Sequence, residues 1–240
     1  MKKSINKIGY KFRSFFTLVR VIGVLTIIAG IVFAIWGASY IKENPNDTFV
    51  KDFYANTSTS LISIAITVLV IDFLVEREQE TRLKKRLKLR AGSKINSIAV
   101  DAVEEMRLYG WLAQGLLSGA NLEGANLDNA PLAGAILKNA NLFDASLENA
   151  NLTKADVSDC DMYSARLNMA ILPEANFNNS KLNWADFSDT DLEGTTFIGS
   201  VLTYANFCGS SLKKANFRNA DMKKVNLSIA NLEEAILEQF

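Results

Sequence analysis

The chain has 240 residues, with 26 Lys and Arg against 26 Asp and Glu, and 49% of its residues are apolar. Its zero net charge is a cancellation, because residues 1–116 hold 17 basic and 10 acidic side chains and residues 117–240 hold 9 and 16. No histidine is present, which removes the commonest general base and the commonest zinc ligand. Cys160 and Cys208 have no Cys-x-x-Cys spacing, so they predict neither a disulfide framework nor a metal site, and a reducing compartment suits them.

Two apolar segments predict a membrane-spanning α-helical hairpin. After a basic N-terminus at residues 1–20, residues 21–41 carry no charge and as a helix would cross a hydrocarbon core about 30 Å thick. A short loop at residues 42–54 leads to the second predicted span, residues 55–75, which the polar run 56–60 makes the weaker of the two. A buried core helix is the alternative for the second span. A cleaved signal peptide is the alternative for the first, although the apolar run is long for a signal core.

Basic residues flank the two spans unevenly. Residues 2–13, before the first span, hold five Lys and Arg residues and no acid, and residues 77–90, after the second, hold seven, whereas the intervening loop has two lysines and three acids. Because Lys and Arg are retained on the cytoplasmic side, both termini are predicted to be cytoplasmic, the loop external and the lipid bilayer a partner. Arg20 and Asp72 are then a candidate intramembrane pair at similar depth. The alternative is that each side chain extends to the interface independently.

Residues 76–116 are predicted to form an amphipathic connecting helix and an N-terminal cap for the segment that follows. Its apolar residues recur every three or four positions: Leu83, Leu87, Ala91, Ile95, Ile98, Ala102, Met106 and Tyr109. Gly92 and Ser93 are predicted to interrupt this helix, with Ser93 as the N-cap of its second piece. The basic residues between positions 82 and 90 either bind anionic lipid headgroups or simply follow the positive-inside rule. The aromatic run 109–112 is predicted to cover an open solenoid end.

Residues 117–240 contain an uninterrupted array of five-residue repeats. Every fifth residue from Leu122 to Leu237 is Leu, Phe, Met or Val, which makes 24 units, and the residue two positions earlier is small, Ala in 17 of them. A regular internal period predicts a solenoid. A period of five fits neither an α-helix nor a flat strand, so the chain is predicted to turn a corner in each unit, with both positions pointing inward.

The charges bear on the number of sides in each coil. Residues one coil apart stack at about 4.8 Å, so opposite charges are favoured there. A separation of 20 residues gives seven opposite-charge pairs and one like pair. A separation of 15 gives three and four, which disfavours three sides. A separation of 10 gives seven and two, so the charges alone do not establish four sides.

The repeats resemble those of a known family. Residues 120–124, 125–129 and 140–144 read ANLEG, ANLDN and ANLFD, similar to the A-[DN]-L-x-x motif of bacterial pentapeptide-repeat proteins. The resemblance implies a right-handed quadrilateral β-helix of about six coils. The predicted fold is thus a membrane α-helical hairpin, an amphipathic helix and an all-β solenoid. Residues 71–112 also resemble the leader of membrane-anchored members with two N-terminal transmembrane helices, which implies a multi-pass protein of the bacterial inner (plasma) membrane.

The sequence contains no enzyme constellation and predicts no catalytic, cofactor-binding or metal site. It lacks a phosphate loop, and its carboxylates follow the repeat pattern. We therefore predict a non-enzymatic, membrane-tethered scaffold that presents a cytoplasmic β-helix to an unidentified protein partner, without binding nucleic acid. The alternative is a DNA-mimicking protein that binds a type II topoisomerase and protects gyrase, since some soluble pentapeptide-repeat proteins resemble DNA in shape and charge.

Two outward surfaces are candidates for binding. The aromatic strip lies on one side of four successive coils and either forms an interface or is only a structural ladder; it consists of Phe143, Tyr163, Trp184 and Tyr204. The candidate acidic patch serves the DNA-mimicking alternative and consists of Asp159, Asp161, Asp186, Asp189, Asp191 and Glu193. The final coil is expected to be open, because only three residues follow the last apolar centre, Leu237, and they are too few for a capping helix. Two chains are therefore expected to form a homodimer through this C-terminal coil.

Overall fold

The structure is a computed structural model that describes the backbone of residues 2–237 and the side chains of residues 20–237. The chain divides into two compact units, Met1–Arg82 and Leu83–Phe240. Three helices come first, α1 at Lys2–Glu43, α2 at Thr48–Ala91 and α3 at Asn96–Leu108. The five-residue repeats follow α3. The predicted basic N-terminus lies within α1, but its side chains before Arg20 are outside the described residues.

In the first unit, α1 and α2 pack through glycines of α1 spaced seven residues apart: Gly23, Gly30 and Gly37. A Cβ added at Gly23 would lie 2.8 Å from Leu69 Cδ2, and one at Gly30 would lie 2.8 Å from Ile62 Cγ1. Contacts this short leave no room for a side chain, so the glycines allow the two backbones to approach. The glycine face of α1 therefore meets α2.

The turn between α1 and α2 is shorter than the loop predicted at residues 42–54. Helix α2 begins at Thr48, because Asp47 Oδ1 accepts a hydrogen bond from Val50 N at 3.0 Å and so caps the first turn. The polar run 56–60 is helical as well. Ser58 Oγ and Thr59 Oγ1 donate to Ala55 O at 3.1 and 2.7 Å. Hydroxyls bonded to the preceding turn need no water, which makes a polar run compatible with a membrane span.

Two helical segments among the described residues are long and apolar enough to span a membrane. They are Arg20–Glu43 within α1 and Thr48–Ala91, of 24 and 44 residues, and little of either is buried within the protein. Large apolar side chains such as Ile35, Trp36 and Phe73 are exposed on them. An exposed apolar surface of this extent is uncommon on a water-soluble unit.

The predicted connecting helix consists of two helices separated at Gly92 and Ser93. The prediction that Ser93 is the N-cap of α3 is wrong, because Ile95 has that position. Ser93 Oγ instead accepts a hydrogen bond from Ile95 N at 3.1 Å. The break also shifts the helical phase. The buried face of α3 comprises Ala99, Ala102, Val103 and Met106. The prediction that Ile95 and Ile98 lie on the buried face is therefore wrong, and they are 60% and 36% exposed.

The repeats form a coil with a period of 20 residues. Isolated parallel bridges join residues 20 apart, from Asn121↔Asn141 to Asn216↔Ile236, and each five-residue unit supplies one bridge. Four units therefore complete one coil, which the charge pattern alone did not establish. Each side contributes a single bridging residue between two turns, so the described part of the repeats contains bridges rather than extended strands.

Each unit turns at the two residues after its apolar centre. The second of them has a left-handed backbone in every unit from Gly124 to Glu234, with φ between 52° and 73°. The turn is closed by a backbone hydrogen bond, as from Ala125 N to Leu122 O at 3.0 Å. The Asn or Asp before the centre supports it from the side, as Asn141 Oδ1 does for Phe143 N at 3.0 Å. Asn or Asp at this position therefore stabilises the turn, although units with Ile136, Ile171 or Val201 there form the same turn.

The apolar centres and the small residues point inward, as predicted, and those before the final described coil are buried. Five phenylalanine centres in the later coils are at most 1% exposed. They form two columns of parallel rings: Phe177, Phe197 and Phe217 in one, with centroids 5.3 and 4.9 Å apart, and Phe187 and Phe207 in the other, 4.8 Å apart. Rings of different columns meet edge to face, with centroids 5.6–5.9 Å apart.

Within the second unit, the end of α2 and all of α3 cover the first coil. Leu87 and Met106 join the same core cluster as the inward residues, together with Trp111 and Leu112. Lys88 Nζ donates to Ser118 O at 2.7 Å, which anchors α2 to the start of the repeats. The cap closes a core that would otherwise face solvent.

Candidate functional site

The aromatic strip occupies the turns on one side of the β-helix. Phe143 and Tyr163 are the first turn residues of their units, whereas Trp184 and Tyr204 are the second turn residues of the next two units on that side. Each ring is held at a corner by the backbone, because the turn directs both of its side chains away from the core. The four side chains are between 37% and 52% exposed.

The strip consists of two stacked pairs. Phe143 and Tyr163 have centroids 5.4 Å apart and an interplanar angle of 8°, and Trp184 and Tyr204 have 4.3 Å and 6°. The first pair consists of first turn residues and the second pair of second turn residues, and this difference in position separates the two pairs. Among the described residues, no ring contact joins Tyr163 and Trp184. The rings therefore stack within pairs and stay exposed to solvent. Stacking and a binding role are compatible here, and the binding role stays a prediction.

Charged residues border the strip. Lys224 follows Tyr204 in the next coil, with its Nζ 2.6 Å from Tyr204 Oη and 4.8 Å from the ring centroid. Lys181 and Asp161 lie on the same side in the middle coils, 3.3 Å apart. Sequence reasoning missed Lys224, although its separation of 20 residues from Tyr204 identifies it once aromatic–cation pairs are compared at the coil period.

The candidate acidic residues do not share one side of the coil. The register places Asp159 and Asp161 at one corner, Asp186 and Asp189 on a second side, and Asp191 and Glu193 on a third. Several have partners. Asp159 lies 3.4 Å from Lys138 Nζ and Asp161 3.3 Å from Lys181 Nζ. These residues are close in sequence, but the coil distributes them around the solenoid.

Arg20 and Asp72, both in the first unit, are brought together. Arg20 Nε lies 2.8 Å from Asp72 Oδ2, and a second Arg20 nitrogen contacts Glu76. The Asp72 side chain is 3% exposed, and its Oδ1 has no hydrogen-bond partner among the described residues. The geometry is that of a charged pair between helices. Whether it lies within a membrane stays a prediction.

The two cysteines differ in environment. Cys160 fills a small inward position, with Sγ 3.2 Å from Leu137 O, and burial raises the pKa of its thiol to about 12. Cys208 is half-buried at a turn. Because the thiolate is the reactive form, we expect Cys160 to be unreactive in the folded chain.

The final described coil is more open than those before it. Its inward residues Met222, Leu227 and Leu232 are only partly buried, while their counterparts in earlier coils are fully buried. The homodimer predicted through this coil also involves residues 238–240, which lie outside the described residues, and it stays a prediction.

The sequence matches a known family of repeats. The Pentapeptide repeats family matches the chain in 8 copies, at residues 116–152, 140–179, 180–207 and 200–239, which is just over half of the chain. A solved pentapeptide repeat protein, Rfr23 from the cyanobacterium Cyanothece 51142, is 30% identical over 37% of this chain and 60% of that one, with a TM-score of 0.36. No curated protein matches the sequence.

Two further solved structures are similar. HetL, a pentapeptide repeat protein involved in heterocyst differentiation regulation from Nostoc sp. strain PCC 7120, is 29% identical over 49% of this chain and 60% of that chain, with a TM-score of 0.25. A trypsin-treated variant of QnrB1, a plasmid-mediated fluoroquinolone resistance protein, is 22% identical over 52% of this chain and 72% of that one, with a TM-score of 0.27. The match thus spans only 60% of the length of Rfr23 and of HetL.

Proposed function

We propose, since this chain belongs to the pentapeptide repeat family, that it is a membrane-tethered scaffold whose β-helix binds another protein through the aromatic strip. Members of this family form right-handed quadrilateral β-helices and are generally structural or interaction proteins without enzymatic activity. About six coils fit the 24 units at four units per coil. The hairpin of α1 and α2 is the proposed tether in a bacterial inner membrane, with both termini in the cytoplasm.

The single observation that carries the binding role is the exposure of four large aromatic rings on one side of the solenoid. Each ring is already ordered by its stacking partner, so little side-chain entropy is lost when a partner packs against it. Aromatic residues are also enriched among those that contribute most to protein–protein binding. A surface that is both apolar and preordered suits a protein partner.

The tether is supported by the apolar surface of the hairpin and by its flanking charges. Exposed side chains such as Ile35 and Phe73 would be solvated by lipid, and the short glycine contacts provide the packing that helices need there. Residues 82–90 hold six of the basic side chains that retain this end in the cytoplasm.

The DNA-mimicking alternative has less support. A mimic of DNA presents a continuous row of negative charge, whereas the candidate acids here lie on different sides. Asp159 and Asp161 also have lysine partners within 3.4 Å, which offsets their charge.

The test compares three forms of the full chain, affinity-purified from bacterial membranes. One is the natural sequence, and one replaces the aromatic strip with serine at all four positions. The control replaces two oppositely charged pairs of turn residues on the opposite side with serine, which leaves the net charge unchanged: Lys154, Glu174, Lys213 and Glu233. We expect a protein, either a different species or a co-expressed copy of this chain with a second tag, to co-purify with the natural chain and the control but not with the strip variant.

Equal recovery from all three forms would contradict the strip as the binding surface. Release of the chain from the membrane pellet by alkaline carbonate would contradict the tether. Protection of gyrase in a supercoiling assay, unchanged in the strip variant, would support the DNA-mimicking alternative instead.

A further inference from the structure

We propose that the strip recognises a second copy of this chain, so that two β-helices pair side by side and antiparallel. The two-fold axis crosses the strip between the unit of Tyr163 and the unit of Trp184. This inference rests on the proposed function, because it names the partner of the same surface. It differs from a dimer through the C-terminal coil, since here the long sides of the solenoids meet.

The aromatic residues are arranged symmetrically about that axis. Rotation exchanges Tyr163 with Trp184 and Phe143 with Tyr204, because equal numbers of coils lie on either side. The Phe143–Tyr163 stack of one copy therefore meets the Trp184–Tyr204 stack of the other. An isologous contact requires such self-complementarity, since the same patch serves both copies.

The same two-fold rotation relates residues of opposite charge along this side. Rotation about the axis places Asp161 of one copy against Lys181 of the other, and each is exposed enough to reach across. Within one chain these two side chains lie 3.3 Å apart, so the dimer would bring together two acids and two bases in alternation. Charge complementarity of this kind sets register more than it sets affinity.

The two ends of the side also carry opposite charge. Exposed acids Glu123 and Asp144 stand at one end, with Lys94 nearby, and exposed Lys223 and Lys224 stand at the other, with Asp221. The excess is one negative charge at the first end and one positive charge at the second. An antiparallel pair places these ends against one another. A parallel pair would instead place lysine against lysine and acid against acid along the whole side.

The surface is small, and the dimer should accordingly be weak in dilute solution. The side of the solenoid from the unit of Glu123 to the unit of Lys223 rises by five coils, about 24 Å at 4.8 Å per coil. One side of so narrow a solenoid buries less than the roughly 800 Å² per partner of a stable complex. Confinement of both chains to one membrane raises their effective concentration, which makes a weak contact effective there.

The experiment uses forms of the full chain with one accessible cysteine, in detergent micelles or lipid vesicles. Cys208→Ser removes the accessible natural thiol, while Cys160 stays in place because its thiol is buried in the core. Glu123→Cys and Lys224→Cys are made separately, each with its own affinity tag. Both positions are exposed turn residues, so the fold tolerates the change. A short bismaleimide then links thiols that come close.

We expect a cross-linked product between the Glu123→Cys and Lys224→Cys chains when they are mixed, at least several-fold above that from either chain alone. Glu174→Cys, on the opposite side, is the control and should give no product. Efficient linkage of the Lys224→Cys chain to itself would overturn the inference, because it indicates a parallel pair or an end-to-end dimer through the C-terminal coil. Absence of linkage in every mixture would overturn it as well.

Charge reversal provides a second readout. Lys181→Glu should reduce the linkage between the Glu123→Cys and Lys224→Cys chains, and Asp161→Lys in the same chains should restore it. No rescue would contradict the antiparallel register. If the strip captures a different protein in cells while these mixtures stay unlinked, the proposed function holds and the self-association is wrong. Failure of both experiments rejects the strip as an interface altogether.

Discussion

Phe197→Ala should severely destabilise the β-helix. Phe197 lies in the middle of its column, stacked between Phe177 and Phe217 at 5.3 and 4.9 Å. Its edges meet Phe187 and Phe207 of the other column at 5.7 Å. It is fully buried, so truncation leaves a cavity that the covalently constrained coils cannot collapse to fill.

The expected loss in the free energy of unfolding is about 3–5 kcal/mol for the truncation of a buried phenylalanine to alanine. Each aromatic contact adds about 0.5–1.5 kcal/mol beyond burial, which places Phe197 at the upper end of the range. Phe197→Asp should have a larger effect still, because it leaves a carboxylate in an apolar column, and it should unfold the adjacent coils.

Phe197→Leu is the matched control. Leucine already occupies the equivalent inward position in Leu137, so the backbone accommodates it without strain. We expect a smaller loss than for Phe197→Ala, because leucine keeps most of the buried volume and loses mainly the four ring contacts.

Urea unfolding of the full chain, followed by amide hydrogen exchange of residues 177–217, measures these differences locally. The reasoning is refuted if Phe197→Ala unfolds within about 1 kcal/mol of the natural chain, because a loss that small is typical of a surface position rather than of a close-packed ring.

Three further predictions concern the turns, the hairpin and the cysteines. Ile229 is β-branched with φ 52° and 87% exposed, so Ile229→Asn should raise the free energy of unfolding by about 1 kcal/mol; an unchanged urea midpoint would contradict this. Arg20→Met should destabilise the hairpin more than Arg20→Met combined with Asp72→Leu, because the single change leaves a buried carboxylate unpaired; equal stability in detergent unfolding would contradict it. Maleimide should label Cys208 but not Cys160 in the folded chain. Burial raises the pKa of the Cys160 thiol from 9.0 to about 12, so between these values the unfolded thiol ionises first and stability falls with rising pH, a loss that Cys160→Ala should reduce.

The repeat could be predicted from the sequence because its determinants are local. The centre, the small residue two before it and the Asn or Asp between them each perform a task within one unit, such as the support that Asn141 gives to its turn. The 20-residue period of the coil was harder to predict from the sequence. It depends on backbone bridges between coils, and charge pairs are an incomplete record of them, since Arg166 pairs with Glu148 rather than with Asp186.

Positions whose environment depends on the interruption of a helix were harder to predict. Ile95 and Ile98 fit an uninterrupted helical pattern, yet the turn after Ala91 changes the phase and exposes them. The acidic residues illustrate the same limit. Asp186 and Asp191 are only five residues apart, but the corner between their units places them on different sides. Proximity along a solenoid is thus not proximity on its surface.

A photo-crosslinking amino acid at position 184 in intact cells tests the central claim most directly. Position 174 is the matched control, because Glu174 has the same left-handed turn backbone, at φ 58° against 61°, and lies half a coil away on the opposite side. We predict a discrete cross-linked protein from position 184 in the membrane fraction and none from position 174. Equal cross-linking from both positions, or none from position 184, would contradict a binding function for the strip.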